Sequence, residues 1–572
     1  MAVIKIDQFK GMAPKIEPRM LPAGAAQVAT NVVFGSGSLR PLAEPLSVVA
    51  AGSASLQSGT ISSLFKYGAN WLTWNGGQDV NVCRSAVALD NYDRLYWTGD
   101  TASPVGPKMA DSATIIGGAG TKPNAAYKLG IPKPVNYLWP TIETPPVDPN
   151  AENRKYAYCF RSLYGEEGPL SDISRIITVD PGVTVELHMH KPSGVEPSPG
   201  EVDTVSPSGS NITHLVIYRA NTGSSTTVWQ YVTAVAIGTI HYSDSILSAD
   251  LGEVCPSETW IAPPVTLQGL VSHPGGFLVG FYNTANGRSV VCVSEAYMPH
   301  AWPASYQMVI DVPIVALGVF GNNILVVTTG MPYLVMGNIP GQLSPPEKME
   351  RGEACLSKRS FVDLGFSCAW AGPSGLWLAS TGSVILATEG IFKPEEWRAL
   401  LVAVGAASGV GLMGAQYGST YIGFGPTGTF VFDAATGDYS TTDVAATAHY
   451  YDQTNGTLYL VVAGAIVSWN AGATKKQMVW KSRPERLVSP DNMGVLQLFS
   501  DSYSPAPTVK IYADGVQITH KGSPYTISVT SSEPVPLPGG HTVLDTYEVE
   551  VTSTTTIVPP ILLASCLSEL GG

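Results

Sequence analysis

The chain has 572 residues, enough for two to four domains with sizeable cores, and its 44% hydrophobic and 13% charged residues argue against disorder. Its 59 glycines and 44 prolines lie among abundant Val, Thr, Tyr and Ser, the composition of a turn-rich, all-β protein. A net charge of −13 argues against a surface that grips nucleic acid; it suits one along which DNA slides, and equally one that is merely soluble.

Residues 1–46 read as an extended N-terminal arm and a first strand. Pro14, Pro18 and Pro22 each remove a backbone donor and push the preceding residue towards extended geometry, so no long helix fits. A short Ala-rich helical turn is expected at 25–31, then a strand introduced by Gly35 and Gly37. An exposed apolar arm needs a covering surface, which makes Phe9, Met12, Arg19 and Leu21 the candidate docking residues for a neighbouring subunit or another protein. The alternative is that the arm folds back on its own body.

A first hairpin, 69–74 with 79–83, falls in a region spanning 47–102, and a loop-rich connector follows over 103–152. Residues 153–262 carry short alternating strands at 154–160, 174–179, 183–187, 212–219 and 228–232, the pattern of an immunoglobulin or fibronectin-III-like sandwich. The Pro- and Gly-rich stretch 192–209 reads as a loop within it. From 263 to 500 the hairpin pattern returns, with first strands beginning at Gly276, Asn323, Gly375, Ser419 and Gly456, steps of 47, 52, 44 and 37 residues. That range brackets one four-stranded propeller blade. A single hairpin cannot bury both apolar faces, whereas radial stacking of several does. The expectation is a β-propeller platform of about six blades, with the sandwich inserted after the first and a small β-rich tail over 501–572. A plain β-sandwich is the runner-up. One helix is expected at 393–404, with Pro394 at its start and Glu395 and Glu396 in the first turn.

Chemical motifs are sparse. The seven cysteines are scattered and odd in number, so they outline neither a disulfide framework nor a zinc site, and a reducing compartment is expected. Gly409-Val410-Gly411-Leu412-Met413-Gly414 matches a dinucleotide string, but a helix precedes it and a strand follows, the reverse of the fingerprint. His188 and His190 share one face of a strand without an identifiable third ligand. Asp433, Asp438 and Asp443 surround Thr436-Gly437 and read as turn residues, since the spacing fails the calcium loop. Asp90, Asp93 and Asp100 invite a paired-carboxylate reading, yet no second acidic cluster can be assigned to the same cleft. No catalytic, cofactor-binding or metal-binding residue is assigned, no cofactor is expected, and the chain reads as a non-enzyme. Residues 1–12 lack the apolar core of a signal peptide, and the longest apolar run, 400–415, is broken by glycines. No membrane anchor is expected.

The order of Phe9-Lys10-Gly11, Pro14, Arg19-Met20-Leu21-Pro22, Asn31 and Gly37-Ser38-Leu39-Arg40-Pro41 resembles the opening of tail nozzle (tail tubular protein B-like) subunits of short-tailed bacteriophages. The likeness continues at Arg94-Leu95-Tyr96-Trp97-Thr98, Leu129-Gly130-Ile131-Pro132, Lys155-Tyr156-Ala157-Tyr158, Gly165-Glu166-Glu167-Gly168 and, fainter, Val479-Trp480-Lys481-Ser482-Arg483. The resemblance implies a virion structural protein forming a homohexameric ring below the portal and its head-to-tail adaptor. Such a ring has tail fibres or spikes nearby and retains, then conducts, double-stranded DNA without tight binding. It further implies a place in the virion tail after assembly in the bacterial host cytoplasm. This chain is shorter and less charged than the best-known members, so no gate residue is carried over. A receptor- or glycan-binding virion protein is the second reading, and a propeller enzyme acting on polysaccharide the third.

Overall fold

The computed structural model describes residues 3–190, 207–222, 228–539 and 544–570. The fold is all-β and of propeller type: six four-stranded antiparallel blades among the described residues, an inserted two-sheet sandwich and a C-terminal β region. The expected loop at 192–209 lies for the most part outside the described residues. Two compact units divide the chain: Met1–Gly77 with Val327–Pro332 and Lys348–Gly572, and Gln78–Val326 with Tyr333–Glu347.

In the first unit, one blade is built from Val362–Asp363, Ser367–Ala371, Leu376–Ser380 and Ser383–Leu386. The next comprises Met413–Tyr417, Thr420–Phe424, Thr429–Asp433 and Tyr439–Thr442. Strand periodicity of two decides what each blade face touches. Tyr421, Phe430 and Phe432 pack with Leu376 and Trp397 on one side, whereas Ile422 and Phe424 pack with Leu458, Leu460 and Trp469 on the other. The third blade, Ala448–Asp452, Thr457–Val462 and Ala465–Ser468, is completed by Leu46–Val49 from the other end of the chain, with Leu46 opposite Ser468. Pro394–Ala403 is helical as expected; the Glu396 carboxylate accepts from the Lys393 N–H at 2.7 Å, and Trp397 and Leu401 are buried.

The C-terminal β region is a sandwich that incorporates the arm. Val3–Ile6 pairs antiparallel with Ile557–Ala564, which also pairs with Val495–Ser500. Ala26–Thr30 pairs antiparallel with Met478–Ser482 and parallel with Tyr439–Thr442. The expected helical turn at 25–31 is therefore a strand. Ala26 and Ala29 are buried in the Trp480 core, and tertiary pairing overrides the modest helix preference of alanine. Asn31 ends the strand with φ 54°, a left-handed conformation that asparagine tolerates.

In the second unit, blades formed by Asn81–Arg84, Leu95–Thr98, Lys108–Ala110 and Tyr127–Lys128, and by Gln268–His273, Phe277–Asn283, Ser289–Val293 and Met308–Ile310, share a core of Tyr96, Met109, Leu278 and Trp302. Phe277, Val279 and Phe281 face the opposite way, onto Ile314, Leu317 and Ile324 of the following blade. The inserted sandwich sets Tyr137–Thr141, Val185–His190 and His241–Asp244 against Glu152–Ser162, Ile177–Val179, Ile212–Thr222 and Gln230–Ala236. Its core holds Leu138, Tyr158, Phe160, Leu187 and Ile217. All seven cysteines are free thiols, six of them buried, and burial pushes the Cys83 and Cys292 thiols up to about 12. No helix among the described residues is long and apolar enough to cross a membrane.

Within the sandwich, Arg219 and Asp244 are fully buried and paired at 2.7 Å, with the Tyr156 hydroxyl donating to the same carboxylate oxygen at 2.8 Å. Removing one partner of a buried pair strands the other charge, at a cost of about 3–5 kcal/mol. Asp244→Ala should therefore move the earliest denaturant unfolding transition to lower concentration. An unchanged midpoint by tryptophan fluorescence would contradict this.

Candidate functional site

The arm residues expected to dock elsewhere are largely held within this chain, which corrects that expectation. Phe9 is buried edge-on against Trp480, ring centroids 5.1 Å apart, and the Trp480 indole donates to the Lys10 carbonyl at 3.3 Å. Leu21 is buried and its carbonyl accepts from Arg483 at 2.9 Å. Met12 is half-buried, its N–H bonded to the Tyr439 carbonyl at 2.8 Å. Only Arg19 stays exposed, on the single turn Pro18–Met20. The physical reason is the large apolar sandwich core, which covers the arm intramolecularly. Gly11 makes the close approach possible: a Cβ there would overlap the backbone of Tyr439. Its N–H donates to Asp438 Oδ1 at 2.8 Å.

The segments that carry the sequence resemblance meet in space in two places. One is the Phe9–Trp480 contact with the Arg483 bond to Leu21. The other lies in the second unit, where Arg94 Nη1 pairs with Glu166 Oε1 at 2.6 Å and Arg94 Nε with Asp90 at 2.8 Å. Gly168 packs against Ile131 so closely that a Cβ would collide with it. Burial disfavours the Glu166 carboxylate, but His300, Arg94 and Ser162 outweigh it and hold its carboxyl below the usual range.

The other sequence candidates separate. Asp90 belongs to the Arg94 pair, Asp93 is an exposed turn residue at φ 45°, and Asp100 forms a buried pair with Lys108 at 2.8 Å while accepting from the Trp97 indole at 3.0 Å. His188 contacts Thr141 at 3.1 Å and stacks edge-on with His241. The side chain of His190 lies outside the described residues. No cluster of three metal-ligating side chains occurs among the described residues. The Gly409–Gly414 string joins the helix to a strand, in the order that the dinucleotide fingerprint does not use.

What the sequence did not single out is a cleft of about 110 Å³ in the first unit, where the end of the arm meets the blade. Asn31 to Phe34 form one wall, and Tyr417, Thr420, Asp433, Asp438 and Trp469–Asn470 line the rest. Trp469 is held edge-on by Phe424 at 6.2 Å. Asn470, at φ 53°, uses Oδ1 to accept from the Ala43 N–H at 2.7 Å. Asp433 Oδ1 accepts from Ser419 at 3.0 Å and from the Ala435 N–H at 2.9 Å. Asp443, the third of that trio, instead pairs with Lys476 at 3.0 Å. The half-buried rings of Phe34 and Tyr417, beside carboxylate, amide and hydroxyl groups, suit an uncharged ligand that is apolar on one face and polar at its edge. The signal in the sequence was the Asp433 and Asp438 turn, read there for its backbone role alone.

No protein-family model matches the chain, and no curated protein matches it in sequence. Solved structures similar to it include an exo-β-1,3-galactanase from Phanerochaete chrysosporium in complex with β-1,3-galactotriose, at 9% identity and TM-score 0.20, covering 91% of this chain and 100% of that one. AztD of Citrobacter koseri matches at 10% identity and TM-score 0.24, covering 68% and 100%. The extracellular domain of a hybrid two component system of B. thetaiotaomicron matches at 9% identity and TM-score 0.25, covering 90% and 74%. Because a galactanase stands among these neighbours, the expectation of a non-enzyme is withdrawn. TM-scores this low carry no substrate or activity over to this chain.

Two outcomes test the packing described here. Gly11→Ala should displace the arm, lower stability by about 1–3 kcal/mol and speed tryptic cleavage at Arg19; unchanged cleavage kinetics would refute the tight approach. Burial works against the Asp100 carboxylate, but Lys108, the Trp97 indole and the Ala102 N–H outweigh it and depress its pKa. Its stabilising contribution is then complete above the unfolded value of about 3.9 and lost as pH falls through the lower folded value. Asp100→Asn should flatten the acid side of a melting-temperature profile between about pH 2 and 6; a parallel profile would refute the assignment.

Proposed function

We propose that this chain is a structural subunit of a phage tail, of the nozzle type, which assembles as a homohexamer around the passage for the genome. The observation that carries this reading is the convergence of the resembling segments. Phe9 packs against Trp480, the Lys10 and Leu21 carbonyls accept from Trp480 and Arg483, more than 450 positions away, and Arg94 pairs with Glu166. Short likenesses that arose by chance have no reason to pair in the fold. The net charge of −13 is compatible with a wall that repels rather than holds DNA. Portal adaptor, fibres or spikes, and a place in the virion tail belong to the same proposal.

A second reading, a receptor- or glycan-binding virion protein, is favoured by the aromatic and polar cleft beside the arm. Negative-stain imaging of the purified protein tests the first reading: six-fold rings with a central hole are expected, with subunit interfaces burying more than roughly 1,000 Å². A protein that stays monomeric at high concentration and is absent from purified virions by mass spectrometry would overturn it.

A further inference from the structure

We infer that the cleft between the arm and the Met413–Thr442 blade binds the terminal neutral sugar of a glycan; this deepens the second reading above and rests on it. Three observations carry the inference. The cleft is open and its volume of about 110 Å³ belongs to one compact unit, with walls from the arm (Asn31 to Phe34) and from the blade. Its apolar side is aromatic: the half-buried rings of Tyr417 and Phe34 offer surface to the C–H face of a pyranose, with the buried Trp469 packed behind as its floor. Its polar side is only partly occupied by the fold. Asp433 uses Oδ1 for Ser419 and the Ala435 N–H, and Asn470 uses Oδ1 for Ala43. The second carboxylate oxygen and the amide nitrogen make no hydrogen bond among the described residues, so the cleft holds one acceptor and one donor for adjacent hydroxyls.

The lining also selects against other ligands. It has no Lys, Arg or His, and two carboxylates would repel an anion. Asp438 has its carboxylate engaged by the Gly11 N–H at 2.8 Å and by Thr436 at 2.7 Å, and no group of three metal-ligating side chains occurs among the described residues, so the lining is not built as a cation site. A purely apolar ligand would bury the Asp433 carboxylate without compensation. A neutral, hydroxyl-rich ring satisfies both sides.

The test uses the full-length protein and three probes: the methyl glycosides of galactose, glucose and mannose, followed by saturation-transfer difference NMR. Asp433→Asn keeps the Oδ1 contacts and turns the free acceptor into a donor, and Thr420→Val removes a hydroxyl at nearly constant volume. Binding of at least one glycoside, weakened tenfold or more in Asp433→Asn and detectably in Thr420→Val, is the expected result. Binding unchanged in both variants would overturn the cleft assignment while leaving a glycan-binding protein. No binding of any probe, with host-surface polysaccharide still retained by the protein, overturns it in the same way. Failure to retain either probes or polysaccharide would sink this inference and the second reading together.

Discussion

The strand Ala26–Thr30 is the constraint on which the first unit depends, because it belongs to two structures at once. Its antiparallel partner is Met478–Ser482 in the sandwich, and its parallel contact, Thr30 opposite Thr441, reaches the outer strand of a blade. Around this seam lie the Phe9–Trp480 contact, the Gly11 approach to Tyr439, and Asn31, whose side chain accepts from Thr442 at 2.8 Å and donates to the Gln477 carbonyl at 3.1 Å. Leu46–Val49 then completes another blade from the same end of the chain. Cross-links between residues so distant in sequence carry a large loop-closure cost, but that cost grows only logarithmically with length, and the buried core outweighs it.

Away from the seam, the architecture repeats one device: a strand whose odd residues serve one layer and whose even residues serve the next. Tyr421 and Ile422, adjacent in sequence, contribute to different cores, as do Phe277 and Leu278. Because both faces of each blade are buried, the strands read as nearly continuous apolar runs rather than clean alternation. The inserted sandwich follows the same rule on one face, but it also buries the Arg219–Asp244 pair, whose burial is offset in part by hydrogen bonds to Tyr156 and the Ile246 carbonyl.

These properties explain what was legible in the sequence. Hairpins such as 420–424 with 429–433 were readable because period, turn residues and pairing partner all lie within a few positions. The helix after Pro394 was readable for a similar reason, since its N-terminal signals are local. The segment 25–31 was misread as helical because the strand that pairs with it lies some 450 residues away, and nothing local announces it. Tyr137–Thr141 falls within the stretch 103–152 that reads as a loop-rich connector, yet it forms a sandwich strand opposite Val185–His190. The cleft was illegible for a stronger reason: its walls come from three separated stretches, each with an ordinary local role as turn, strand end or arm.

The arm's integration into the far end of the chain also sets an order of events during synthesis. Val3–Ile6 leaves the ribosome well before Ile557–Ala564, its partner, which is made some 550 residues later. At about 5–20 residues per second, the interval is about half a minute to two minutes. Throughout it, Ile4, Ile6 and Phe9 have no sandwich core to enter. Translation thus delivers the blades before their fastening, and a nascent chain that stalls short of residue 478 presents an unpaired apolar arm to the chaperones and proteases that survey unfinished proteins.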